Sequence, residues 1–252
     1  MFDFTGKVAV VTGGEKGIGR AAAHELAGAG AAVIILGIDE EAGHAAATEA
    51  PGEATFLRVD VSSEEQVREL PARVKRTYGL TNVLVNNAGI IVAGTVLDTE
   101  FETWRKVMSV NLDGAFLVTK YLIPHMQERG GGVIVNVGSE AGLVGFKGQV
   151  AYNVSKAGII HLTRSLAVAF AERAANDGRT VQRSLDGHLE AFIRHAGQFR
   201  RQGDYSLSGL LASAGEIAAR RSILPKTREN LRLLVASARG DDNRLASAEG
   251  AL

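Results

Sequence analysis

The sequence contains no cysteine. Disulfides, thiolate-held zinc and thiol nucleophiles are therefore excluded. It has no excess of charge: 28 basic and 28 acidic side chains cancel. Nothing electrostatic points to nucleic acid or an acidic membrane surface as partner. No apolar run approaches the roughly 18 residues that a membrane span needs. The first residues, MFDFTGK, lack the basic segment and long apolar stretch of a secretory signal. The six histidines, at positions 24, 44, 125, 161, 188 and 195, show no H-x-x-x-H spacing. A helical zinc site of the hydrolase type thus finds no support, and no metal is expected. What remains is 252 residues, 46% of them hydrophobic, which suits an α/β fold with a sizeable core. A cytoplasmic protein is the expectation.

Five short apolar runs read as buried strands, over 7–12, 32–36, 55–59, 83–85 and 133–137. The first leads into Gly13-Gly14-Glu15-Lys16-Gly17-Ile18-Gly19, and a helical pattern follows through Ala21, Ala22, Leu26 and Ala27. Strand, glycine-rich turn and helix form the setting in which backbone N–H groups cradle a pyrophosphate. The spacing is G-x-x-x-G-x-G rather than the commoner G-x-G-x-x-G, and a structural turn is the plainer alternative. The second run ends at Gly37-Ile38-Asp39-Glu40, where dinucleotide folds often place an acid for the ribose hydroxyls.

The third run ends in Asp60-Val61. Ser62 and Glu65 then have the spacing of a capping box, and Pro71 predicts a kink in the helix they open. The fourth run passes into Asn86-Asn87-Ala88-Gly89. Amides there can bond backbone groups across the C-terminal edge of the sheet, where ligands of open α/β sheets sit. One long helix is predicted over about 100–129, with Trp104, Met108, Leu112, Phe116 and Leu117 as core. Asn111 falls in its middle, either as a core amide or as a holder of water or backbone for a site.

The fifth run is broken by Gly138-Ser139, and a glycine-punctuated loop leads to a helix starting near Gln149. Tyr152 and Lys156 lie four apart, hence on one face of that helix. A free tyrosine, with a pKa of about 10, exchanges protons poorly near neutrality. An ammonium one turn away favours the phenolate. Ser139, at the strand end, could donate a hydrogen bond to a substrate oxygen while Tyr152 moves its proton. The bland alternative is a half-buried tyrosine beside a solvated lysine.

Taken in order, Thr12-Gly13-x-x-x-Gly17-Ile18-Gly19, Asp60-Val61, Asn86-Asn87-Ala88-Gly89, Asn111, Ser139 and Tyr152-x-x-x-Lys156 resemble the short-chain dehydrogenase/reductase family over about 3–172. The resemblance implies a doubly wound parallel sheet, Rossmann-like, that binds NAD(H) or NADP(H) and passes hydride to or from a secondary alcohol or ketone. It implies Tyr152 as general acid/base, Lys156 as its activator and the holder of the nicotinamide ribose, Ser139 as orienter of the carbonyl, and Asn111 as support for a proton-relay water. Gly13, Glu15, Lys16, Gly17, Ile18 and Gly19 would face the pyrophosphate side. Asp60 and Val61 would contact the adenine, and Asn87, Ala88 and Gly89 the adenosine ribose region. A homodimer or homotetramer acting on a small molecule is implied as well.

Two departures stand out. The acid that NAD-preferring members carry at the end of the second strand is Gly37 here, and Lys16 stands where NADP-preferring relatives often have a base. Glu15, Asp39, Glu40 and Glu41 nevertheless crowd the place of a 2′-phosphate, which favours NAD with Asp39 as ribose partner. The resemblance also stops near residue 172. Members continue with an apolar sixth strand ending in Pro-Gly, a substrate loop and a last strand; here 173–186 reads RAANDGRTVQRSLD, and Pro225 is followed by Lys226. Residues 1–170 carry a net charge of −3 and residues 171–252 a net of +3, the latter with 12 arginines and 1 lysine.

The organisation expected is a dinucleotide-binding and catalytic part, 1–172, and an atypical segment, 173–252, mainly helical or disordered. That segment is a replacement with helices over 185–198 and 228–238, a basic partner-binding arm, or an out-of-frame translation, which its Arg-, Ala-, Ser- and Gly-rich composition favours. Loss of the sixth and seventh strands would bare the edge of a parallel sheet. The rival to an active enzyme is therefore a non-catalytic dinucleotide-binding protein, or an inactive variant with a disrupted C-terminal third.

Overall fold

The computed structural model describes residues 3–176, with side chains to residue 170. The helices expected over 185–198 and 228–238, and the rest of the tail beyond 176, lie outside the described residues. Met1–Leu166 is the first of the two units into which the chain divides. Everything below belongs to the first, apart from the last turns of α6.

Five strands, β1 (Val8–Thr12), β2 (Ala32–Gly37), β3 (Ala54–Arg58), β4 (Val83–Asn86) and β5 (Val133–Asn136), form a sheet in the order β3-β2-β1-β4-β5. Every pair is parallel, with Val10 level with Ile34 on one side and Leu84 on the other. The Rossmann-like doubly wound fold expected from the resemblance is what forms. Helices α1 (Gly17–Gly28), α2 (Glu40–Thr48), α3 (Glu64–Thr77), α4 (Phe101–Met108), α5 (Gly114–Glu128) and α6 (Val150–Asn176) complete it.

Alternation along the strands feeds two cores. Val8, Val10, Ile34, Leu36 and Leu84 pack with Val67, Leu70 and Val74 of α3 and Leu117, Val118 and Leu122 of α5. Ala9, Val11, Val33, Ile35, Val83 and Val85 pack with Ala23 and Ala27 of α1 and Ala46 of α2. Both faces are covered, which is why the central strands read as continuous apolar runs rather than alternating ones. Each large aliphatic side chain buried this way contributes about 1.5–3 kcal/mol. Among the described residues β5 lies at the sheet edge, and Val133 and Val135 are exposed.

Several local expectations are corrected. The long helix over 100–129 is interrupted by a π-turn, Ser109–Asp113, that carries Asn111. An inserted residue of this kind shifts the helical register and is frequent at functional sites. In consequence Phe116, expected in the core, is exposed, whereas Leu117 is buried. The cap of α3 is Ser63, which accepts from the Gln66 backbone at 3.4 Å, not Ser62. Ser62 bonds the Asp60 carboxylate instead. Helix α3 continues through Pro71, and Leu70 and Val74 beside it are fully buried.

Strand order reverses between β1 and β4. The crevice beyond their C-terminal ends is the switch point at which open α/β sheets bind ligands.

Candidate active site

Thr12, the last residue of β1, organises that crevice. Its buried hydroxyl accepts the backbone N–H groups of Asn87 at 3.0 Å and Ala88 at 2.9 Å. The Asn87 amide in turn donates to the carbonyls of Thr12 and Gly13, each at 3.0 Å. The loop after β4 is thereby stitched to the glycine-rich loop after β1. The sequence reading expected amides at 86–89 to bond backbone across the sheet edge, and Asn87 does so. In the sequence Thr12 stands out only as part of a motif, and a threonine hydroxyl closing an apolar strand is its signal.

Asn86, one residue earlier, points the other way. Its amide donates to Thr119 at 2.9 Å and to Asn136 at 2.8 Å, and Asn136 donates to Thr163 at 2.9 Å. This buried chain links β4, α5, β5 and α6. Nothing in the sequence marks Asn136; its register opposite Asn86 places the two amides side by side.

Helix α1 begins at Gly17 with Lys16 as N-cap, whose side chain makes no capping hydrogen bond. By contrast, α2 and α3 are capped by Asp39 and Ser63. Gly13 and Gly17 have φ of +60° and +53°, the left-handed conformation that a tight turn demands and side chains resist. Backbone donors without side-chain acceptors at a helix start suit an anionic pyrophosphate. Ile18 is exposed beside them, and Gly19 is buried against the loop. Asp60, past the end of β3, has its carboxylate fixed by the Ser62 N–H at 2.9 Å and hydroxyl at 2.7 Å, and Val61 is buried. These residues fit a dinucleotide.

On the other side of the crevice, Ser139 follows β5 and caps a short 3₁₀ turn, Glu140–Gly142, by accepting the Ala141 N–H at 3.1 Å. Its own hydroxyl proton stays available. Gly142 sits so close to α6 that a Cβ would lie 2.6 Å from the Lys156 carbonyl carbon. The Ser139 turn is therefore pressed onto the helix that carries Tyr152 and Lys156. Lys156 is 5% exposed, donates to the Val137 carbonyl at 2.8 Å and has its ammonium 5.7 Å from the Tyr152 ring centre. The solvated lysine of the bland reading is thus not what forms.

Asn111 spends its side chain on the protein. Its oxygen accepts the Ile90 N–H at 2.7 Å, and its amide donates to the Ile90 carbonyl at 2.9 Å and to Ser155 at 3.0 Å. Its oxygen and the Lys156 ammonium both border Gly89. Asn111 thus ties the loop after β4 to α6, and the π-turn is what aims it there.

Burial pushes the Lys156 pKa down from 10.5 to about 8. Unfolding then takes up a proton between those values. The burial penalty is present in full below pH 8, is relieved as pH rises through 8, and is gone above 10.5. Melted without cofactor from neutrality to pH 10.5, the wild type should gain about 3 kcal/mol relative to Lys156→Met. If the two curves instead run parallel, Lys156 is not a buried cation. Near neutral pH it remains charged, and its cation faces the phenol ring.

Among the described residues no cluster of acids and histidines could hold a metal ion. No described helix is long and apolar enough to cross a membrane.

A family profile described as short chain dehydrogenase matches residues 7–176. An uncharacterized oxidoreductase of Thermotoga maritima is 43% identical over 197 residues, which are 75% of this chain and 78% of that protein. An NAD-dependent glycerol dehydrogenase of Listeria innocua is 38% identical over 170 residues, 68% of this chain and 67% of the relative. Among solved structures, the crystal structure of gox2181 aligns with a TM-score of 0.66 at 34% identity, covering 68% of this chain and 69% of that one.

Proposed function

Because this chain belongs to the short-chain dehydrogenase family, we propose that it interconverts a secondary alcohol and a ketone on a small molecule, with Tyr152 as general acid and base. It is an oxidoreductase acting on CH–OH groups. The observation that carries the finer reading is the buried Lys156 ammonium one helical turn from Tyr152 and held by the Val137 carbonyl. Burial works against the charge of that ammonium and lowers its pKa to about 8. A cation set against a phenol favours negative charge on the phenolic oxygen as its proton leaves.

In the reductive direction Tyr152 gives its proton to the carbonyl oxygen while the Ser139 hydroxyl donates a hydrogen bond to the same atom. In the oxidative direction Tyr152 takes the proton back. The nicotinamide, when bound, supplies or accepts the hydride. Lys156 supports Tyr152 and takes the nicotinamide ribose; Asn111 holds the floor between them and supports a relay water. Gly13, Lys16, Gly17, Ile18 and Gly19 hold the pyrophosphate side, Asp60 and Val61 the adenine, and Asn87 to Gly89 the adenosine ribose region. Residues 1–172 form the unit that does this.

The test uses the purified full chain with a panel of small ketones and reduced cofactor deuterated at the nicotinamide ring. Label should appear on the carbinol carbon of the product. If the cofactor binds and no ketone of a broad panel acquires label, the protein is a dinucleotide binder without this chemistry.

A further inference from the structure

Resting on that dinucleotide reading, we infer that Glu15, in the glycine-rich loop, supplies the carboxylate that β2 lacks and makes the chain select NAD(H) over NADP(H). A Cβ built on Gly37, at the end of β2, would fall inside the Glu15 carboxyl group. The acid that a side chain at 37 would carry is thus replaced, in nearly the same place, by one reaching over from the neighbouring loop. The replacement is held firmly. The Gly14 N–H donates to the Leu36 carbonyl at 3.1 Å, and the Val59 N–H to the Gly37 carbonyl at 2.9 Å.

Glu15 Oε2 is buried and has no hydrogen-bond partner among the described residues. A buried acceptor without a donor is costly, and such atoms call for an explanation. A ribose diol supplies two O–H donors to a carboxylate, and such charge-assisted bonds are the strong ones. A 2′-phosphate supplies no donor when ionised and brings nearly two negative charges against Glu15.

The bases nearby are already engaged. Lys16 pairs with Asp39 at 2.6 Å, and Arg58, at the end of β3, with Glu40 at 3.1 Å. Asp39 is occupied on both oxygens, one by Lys16 and the other by the Ala42 N–H at 3.0 Å, where it caps α2. Asp39 and Lys16 hold each other in their charged forms, each chiefly through that hydrogen bond. The role of ribose partner therefore passes from Asp39 to Glu15.

The experiment measures binding rather than turnover. The full chain is titrated with NADH and NADPH, followed by energy transfer from Trp104, the sole tryptophan, and by thermal shift. Adenosine diphosphate and its 2′-phosphorylated analogue serve as fragments. Wild type should bind NADH about 10- to 100-fold tighter than NADPH, and Glu15→Ser should lose that preference. Adding Gly37→Asp to Glu15→Ser should restore it, because the carboxylate returns from the other side. Equal affinity for the two cofactors in the wild type, or an unchanged ratio in Glu15→Ser, overturns the role of Glu15 and leaves the dinucleotide site standing. Binding of neither cofactor overturns both.

Discussion

Tyr152→Phe should lower the rate of the hydride-transfer step by about 10³-fold, while NADH binding and thermal stability stay close to wild type. The substitution removes one oxygen and nothing else. Tyr152 is half-buried. Its ring persists in the variant, so the Lys156 ammonium keeps a π face at about its present distance. On the proposed mechanism, what disappears is the group that exchanges a proton with the substrate oxygen. General acid–base catalysis is worth about 10²–10⁴-fold, and Ser139 cannot replace it, since an aliphatic hydroxyl gives up its proton far less readily than a phenol. Single-turnover kinetics at saturating cofactor separate this loss from any change in binding. A variant that keeps its rate within about tenfold would mean that the proton moves by another route.

The parts of this site legible in the sequence are those whose residue types are forced by local geometry. Continuous apolar runs announced β1, β2 and β4 because both faces of the sheet are covered. Glycines at 13 and 17 announced the turn before α1 because their backbone enters the left-handed region. The pairing of Tyr152 with Lys156 followed from helical periodicity alone. Other features depend on contacts between distant segments and leave no local mark. The π-turn at Ser109–Asp113 differs from a helix by one inserted residue and has no compositional signature. It exposes Phe116 and aims Asn111 at Ile90. Asp39 is the ribose partner that position suggests, and its two oxygens bond Lys16 and the start of α2. That Glu15 fills the space above Gly37 follows only from how two loops meet.

Gly19→Ala should unfold the crevice locally and weaken NADH binding at least about 100-fold, more than any surface change in the same loop. Gly19 is the third residue of α1 and is buried against the turn before it. A Cβ there would fall on the Gly13 carbonyl oxygen and on the Asn87 side-chain amide, two groups that are themselves hydrogen-bonded at 3.0 Å. Neither can step aside cheaply. Gly13 is fixed by its left-handed turn, and moving Asn87 would strip the Thr12 and Gly13 carbonyls of their donor. Overpacking a core costs about 1–3 kcal/mol, and each buried bond lost adds about 1 kcal/mol, so the total comes to about 3–5 kcal/mol. Gly17→Ala is the control. It sits two residues earlier at φ +53° with nothing within 4 Å of a Cβ, so it carries only the left-handed penalty of about 1–2 kcal/mol. Thermal melts and NADH titrations of the two variants should rank them in that order. Equal losses would mean that turn strain dominates. An unaffected Gly19→Ala would mean that the close approach of α1 to the β1 and β4 loops does not shape the site.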